Sequence, residues 1–203
     1  MAIDFTTPLS LPTVTGIRNI EFRAKNAVAY SQSPFTFAGQ AHAYSGEIWE
    51  ADITLPPMKR AAAEVWLSFL ISLRGSYNKF YLGDPDGKTA RGTASSVVIN
   101  GTAGERVVDV NVPSSETLKA GDYFSLGSGN SMRLYKVLAD YTGTGSSEAN
   151  ALDIWPALRA NASSETADIT SPTGVFRLAN NEQSWTANHV STYGITFGAF
   201  EAI

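Results

Sequence analysis

The apolar and polar positions keep a period of two near both ends of the chain and switch to a helical period between residues 57 and 74. Ile17-Arg-Asn-Ile-Glu-Phe22 mixes apolar and polar positions with β-formers, and Pro34-Phe35-Thr36-Phe37 alternates its aromatics, so both read as extended. From Gly46 to Thr54, Glu47, Trp49, Ala51 and Ile53 share one face, and Ile48, Glu50, Asp52 and Thr54 share the other. This predicts a half-buried strand with Trp49 and Ile53 inside and the carboxylates of Glu50 and Asp52 in solvent. Pro56 and Pro57 end it, because proline offers no ladder donor, and they suit the first turn of a helix. Met58, Ala62, Val65, Trp66, Phe69, Leu70 and Leu73 then follow a helical core stripe, with Arg74 in the last turn and Gly75 as a left-handed cap. Leu67 and Ile71 form a second apolar pair across from that stripe, flanked by Arg60 and Glu64. Either the chain covers that pair itself, or the four residues face a neighbouring subunit.

Beyond the helix, Lys79-Phe-Tyr-Leu82 reads as a strand and Gly83-Asp-Pro-Asp-Gly87 as a tight turn. From about Gly92 to Ser171 the chain becomes rich in Ser, Thr, Gly, Ala and Asn. Short β-runs at 96–99, 107–112, 123–126 and 132–138 are separated by turn signals such as Asn100-Gly101, Gly121-Asp122 and Gly127-Ser-Gly-Asn130. That spacing predicts a small barrel or sandwich. The chain closes with Gly174-Val-Phe-Arg-Leu178, Gln183-Ser-Trp185 and a last run in which Tyr193, Ile195 and Phe197 share a face. The aromatic alternation of the two ends matches and the middle differs. The expected fold is therefore mainly β: a β-sandwich formed by residues 1–91 with 172–203 and flanked by one helix at about 57–74, and a small β-barrel or β-sandwich inserted at 92–171.

Composition narrows the function classes. The 203 residues are 43% apolar but only 17% charged, below the usual quarter, so part of the surface is expected to lie under a neighbour. A net charge of -4 and a pI near 5.2 leave no general basic footprint for nucleic acid. No cysteine is present, which removes disulfides, thiolate nucleophiles and thiolate-bound metals. Met1-Ala-Ile-Asp4 lacks the basic and apolar regions of a leader, and no stretch approaches the roughly 18 apolar residues of a membrane span. The expectation is a protein without membrane insertion, made in a cytoplasm.

Chemistry is sparse. His42 and His189 have no second ligand at metal spacing, so they read as structural or surface residues. Asp84 and Asp86 resemble the start of a calcium loop, but no glutamate stands at the twelfth position and turn chemistry already explains them. Gly127-Ser-Gly-Asn-Ser131 has no phosphate-loop lysine. Glu47, Glu50 and Asp52 suggest paired carboxylates for sugar hydrolysis, yet alternation sends Glu50 and Asp52 to solvent. Tyr135, Tyr141 and Trp155 can stack a sugar or pack in a core. Arg159, in Trp155-Pro-Ala-Leu-Arg159, can bind a ligand or lock an edge by bonding loop carbonyls or a carboxylate. No acid, base and nucleophile assemble, so no enzyme, cofactor or metal is expected.

Several stretches in order carry a resemblance: Tyr44-Ser-Gly-Glu-Ile-Trp-Glu-Ala-Asp-Ile-Thr-Leu-Pro-Pro-Met58 leading to Trp66-Leu-Ser-Phe-Leu70, then Phe80-Tyr-Leu-Gly-Asp-Pro85, Leu118-Lys-Ala-Gly-Asp-Tyr-Phe-Ser-Leu126, Leu134-Tyr-Lys-Val137, Trp155-Pro-Ala-Leu-Arg159 and Pro172-Thr-Gly-Val-Phe-Arg-Leu178. Together they resemble the small tail proteins of long-tailed (siphovirus-type) phages and prophages, the distal tail proteins above all. The first forty residues carry little of the likeness. The resemblance implies a virion protein, assembled in the bacterial host cytoplasm, that forms a ring, usually hexameric, between the tail-tube protein and the baseplate hub protein. It also implies an outward β-domain and a lumen that passes DNA without specific binding. Arg60, Glu64, Leu67 and Ile71 are then the candidate subunit interface, and Tyr135, Trp155 and Arg159 the candidate outer-domain contact. Two other roles remain: another tail structural part (tube, terminator or minor tail protein), or a carbohydrate-binding module at the tail tip.

Overall fold

The computed structural model describes residues 3–145, 150–189 and 192–203; Met1 and Ala2, where the leader-free reading begins, lie outside them. The chain opens with two long strands, β1 (Asn19–Gln32) and β2 (Gly39–Thr54), then the short β3 (Met58–Lys59), the helix α1 (Arg60–Ser72) and β4 (Phe80–Leu82). The middle contributes β5 (Val98–Gly101), β6 (Val107–Asn111), β7 (Thr117–Leu118), β8 (Tyr123–Leu126), β9 (Arg133–Val137), β10 (Tyr141–Thr142), β11 (Ala151–Trp155) and β12 (Ala162–Thr166). The end supplies β13 (Gly174–Leu178), β14 (Trp185–Ala187) and β15 (Thr192–Glu201). The protein is mainly β, with one α-helix among the described residues.

The strands of both chain ends form one antiparallel sheet, ordered β1-β2-β15-β13-β4, with β14 and β3 also paired to β15. We call it the body. Its inner face follows the predicted alternation: Trp49, Ala51 and Ile53 of β2 lie beside Ile195, Phe197 and Ala199 of β15, all buried. Its outer face is charged, with Arg23 paired to Asp52 and Lys25 to Glu50. The middle strands form a second sheet, ordered β12-β5-β6-β11-β9-β8. Two backbone hydrogen bonds between Ser125 of β8 and Asp168, just past β12, nearly close it into a barrel around a second apolar cluster. Asp122 pins the chain where it enters: its carboxylate accepts the N–H groups of Arg91, Gly92 and Lys119.

Four local expectations are corrected. The helix starts at Arg60, because Pro56-Pro57 keep the chain extended and Met58-Lys59 pair with Tyr193 and Thr192 of β15. Its buried stripe is Ala63, Trp66, Leu67, Leu70 and Leu73, rotated from the predicted one, so Val65 is exposed and Leu67, expected on the opposite face, is 4% exposed within the core. Both stripes fit a helical period, and only the position of the sheet chooses between them. Pro34 to Phe37 are not a strand: they form the turn between β1 and β2, where the Ser33 hydroxyl accepts the Phe35 N–H, the Ser33 carbonyl accepts the Phe37 N–H, and Phe37 takes φ 55°. Similarly Asn100-Gly101 continues β5, and the turn falls later, at Thr102–Glu105.

The corrected stripe has a measurable consequence. Leu67→Ala leaves a cavity in the core and is expected to cost about 2–5 kcal/mol in urea denaturation. Ile71→Ala, at a residue 58% exposed, is expected to stay within about 0.5 kcal/mol of the parent. Equal effects would return Leu67 to the surface.

Candidate functional site: a buried clamp and an uncharged arm

Two carboxylates sit where body and barrel meet: Glu47, which the alternation put on the inner face, and Glu201, which sequence reasoning passed over. Glu47 of β2 points inward and is buried; its carboxylate accepts the Arg106 Nε at 2.7 Å and the Ala157 backbone N–H at 2.6 Å. Glu201 of β15, 1% exposed, accepts Arg159 Nη2 at 2.7 Å and Nε at 3.3 Å, and the Trp49 backbone N–H at 3.3 Å. Arg159 Nη2 also donates to the Glu47 carbonyl at 2.6 Å, and its backbone N–H donates to the Tyr135 hydroxyl at 3.0 Å. Arg106 and Arg159 come from the middle of the chain, Glu47 and Glu201 from its two ends. The arrangement is a neutral clamp of two acids and two guanidiniums across the junction. Trp49 reinforces it by donating its indole N–H to the Leu134 carbonyl at 3.0 Å and by meeting Trp155 edge-on at 4.3 Å.

This settles where the outer-domain candidates lie. Arg159 carries out the edge-locking reading, with its guanidinium on a carboxylate and a carbonyl of the body. Tyr135 is sealed in the barrel, stacked on Phe124 at 5.3 Å, and burial pushes its phenol pKa up. Trp155 is half-buried against Trp49 and donates its indole N–H to Asn26 at 2.8 Å. Tyr141 is half-buried against the barrel core. The structure thus brings Tyr135, Trp155 and Arg159 together, but at the junction rather than on an outer surface.

The helix candidates separate. Arg60 and Glu64 form an exposed i,i+4 ion pair at 3.3 Å, Ile71 is exposed, and Leu67 is withdrawn into the core. Leu67 therefore leaves the candidate interface.

A larger exposed feature starts at the clamp. Past the Asn26–Glu47 pair, β1 and β2 run on as a two-stranded hairpin joined at the 34–37 turn. The 21 residues from Asn26 to Gly46 contain no Asp, Glu, Lys or Arg, and all are exposed except the partly covered Ser33. From Asn26 to Gln32, at about 3.3 Å per residue, the arm reaches roughly 20 Å. Phe35 at its tip is 91% exposed and Phe37 73%; Val28, Tyr30 and Tyr44 are exposed along it. His42 packs edge-on to Tyr44 at 4.8 Å. Exposed strands are ordinarily defended by charge, and a bare hairpin in water is marginal. The signal was present in the sequence as a charge-free run between Lys25 and Glu47, in the stretch that the motif reading used least.

Elsewhere, a groove of about 520 Å³ runs along the Ser10–Ile17 segment, past Trp66 and Tyr81 to Pro85, Lys88 and Thr173. A smaller hollow is lined by Phe5, Tyr77, Asn78, Lys79, Asn130 and Arg177; burial, then Arg177 and Arg133, holds the Lys79 ammonium below the usual lysine range. Among the described residues no group of three His, Cys, Asp or Glu is placed to hold a metal, and no helix is long and apolar enough to cross a membrane. The fold and these surfaces define a β-rich chain whose distinctive features are a braced junction and a projecting arm. No protein-family model and no curated protein matches the chain.

The clamp is testable by a double-mutant cycle. Arg159→Met strands the Glu201 carboxylate and is expected to cost about 3–5 kcal/mol in chemical denaturation. Adding Glu201→Gln is expected to recover more than half of that loss, because the stranded charge is gone. Additive losses would mean that the pair acts as two independent contacts.

Proposed function

We propose that this chain is a structural subunit of a long-tailed phage tail that self-assembles into a ring at the tail tip, between tube and baseplate hub. The observation that carries the reading is the arm. A charge-free, two-faced hairpin with exposed aromatics fits a surface that ends up covered, and its lack of charge removes the penalty of desolvating ions there. The ordered resemblance of residues 44–178 to small phage tail proteins supplies the setting, and the low charged fraction agrees with it. Charge on the outer face of the body, interspersed in sign, keeps that face solvated and leaves the arm as the sticky element.

A carbohydrate-binding role draws no comparable support. Two of the three aromatics that suggested it, Tyr135 and Trp155, are used in the barrel core and at the junction.

The reading is tested on the whole purified protein by mass photometry and negative-stain imaging across concentrations. Closed rings with a mass that is an integral multiple of 21.7 kDa are the expected result. A strict monomer at every concentration, with and without the tube protein, would sink it.

A further inference from the structure

We propose that the hollow lined by Phe5, Tyr77, Asn78, Lys79, Asn130 and Arg177 binds a small phosphate-class oxyanion, held by the Lys79 ammonium and the Arg177 guanidinium. It stands independently of the assembly reading. β4 and β13 pair Tyr81 with Val175 and Phe80 with Phe176, and one step further along that register sets Lys79 opposite Arg177. Like charges directly opposite on neighbouring strands destabilise a sheet. Arg133 brings a third cation to the same corner, with its Nη1 donating to the Asn130 carbonyl at 3.1 Å. Arg74 adds a fourth at the rim, over the Phe5 ring at 5.9 Å.

The protein leaves this cluster uncompensated. Arg23, Arg60, Arg91, Arg106 and Arg159 each pair with a carboxylate. Among the described residues, Arg74, Lys79, Arg133 and Arg177 pair with none. Asp4, beside Phe5 in the chain, turns its carboxylate onto the Thr6 N–H at 2.9 Å and the Thr6 hydroxyl at 2.7 Å. Burial, then Arg177 and Arg133, lowers the Lys79 pKa, and no carboxylate offsets them.

The donors are in place before any ligand arrives. Arg177 commits Nη1 to the Ser76 and Tyr77 carbonyls, which leaves Nη2 and Nε without a partner among the described residues. Asn78, 8% exposed, ties the turn after α1 by donating to the Ser72 carbonyl at 3.1 Å. The Leu9 N–H donates to the Lys79 carbonyl at 2.9 Å, which fixes the backbone that carries the ammonium. Charge then selects the ligand. Lys79, Arg133 and Arg177, all half-buried, outweigh a single carboxylate, whereas a phosphate group brings nearly two charges and three strong acceptor oxygens. A long polyanion is disfavoured, because the chain as a whole carries a net charge of -4. A volume of about 370 Å³ accommodates phosphate with its water, or a small phosphomonoester.

The test is calorimetric titration of the full chain with inorganic phosphate at constant ionic strength, with acetate and a short single-stranded oligonucleotide as comparison probes. One phosphate per chain is expected. Lys79→Gln removes a side chain that has no protein partner, so thermal unfolding without phosphate is expected to match or exceed that of the parent. Its phosphate affinity is expected to fall about 10- to 100-fold. Lys88→Gln removes the same charge from an exposed position outside the hollow and is expected to keep the affinity within about twofold. Phosphate should raise the melting temperature of the parent and of Lys88→Gln, and leave that of Lys79→Gln unchanged. Absence of phosphate binding by the parent would overturn the proposal. So would equal losses in Lys79→Gln and Lys88→Gln, which mean diffuse attraction. Acetate bound as tightly as phosphate would make this a carboxylate site, and a preference for the oligonucleotide would make it a nucleic-acid contact; either result overturns the phosphate assignment.

Discussion

Two carboxylates buried in the body constrain everything around them. Glu47 and Glu201 lie on the inner face of the sheet, where an unpaired charge costs several kcal/mol. The body strands beside them offer the Trp49 N–H, and the rest of the compensation comes from Arg106, Ala157 and Arg159. The barrel must therefore sit on the body in one orientation for the body to be satisfied at all. The apolar contacts among Trp49, Tyr123, Leu134 and Trp155 are non-directional and by themselves tolerate small slides. Charged hydrogen bonds do not tolerate them, because their strength falls steeply as distance and angle degrade. The clamp thus supplies direction to an interface that the hydrophobic effect only makes adhesive.

The same clamp fixes the arm. Asn26 and Glu47 face each other at the last pair before the hairpin leaves the body, and both are held by the barrel, Asn26 through Trp155 and Glu47 through Arg106, Ala157 and Arg159. A register shift just beyond, between Asn26 and Val28, lets the hairpin bend away from the sheet. A hairpin anchored this way has lost most of its freedom before it meets anything. Less ordering entropy is then left to offset against any surface that would cover it.

The sequence made the period-two strands legible because one face of each is buried: Trp49, Ala51 and Ile53 could be placed inside from alternation alone. The helix was legible as an element but not in rotation, since Leu67 and Val65 fit either of two stripes until the sheet position is known. The arm was misread for a related reason. Alternation in Pro34 to Phe37 looks like a strand, but Ser33 turns the chain by accepting the backbone N–H groups of Phe35, Thr36 and Phe37, a local competition that periodicity does not register. The clamp was the least visible. Glu47 was placed on the inner face, and Arg159 was read as able to bond a carboxylate. Their partners Arg106 and Glu201, however, lie 59 and 42 residues away, and no local pattern links such pairs.

The composition of the arm bears on how a chain with a long exposed hairpin avoids aggregation. A hairpin rich in Leu, Ile and Val would bind a neighbour strongly but would also bind any apolar surface. A charged one would stay soluble but would lose much of its binding to desolvation. Ala, Ser, Gln and Gly in most positions, with Val28, Tyr30, Phe35 and Phe37 spaced among them, lie between these limits. Small polar residues contribute little alone, so any binding by the arm would concentrate in its few large side chains. The remaining hazard is the pair of free strand edges along the arm, which invite indefinite pairing. The bulge at its root and Pro34 at its tip interrupt that edge.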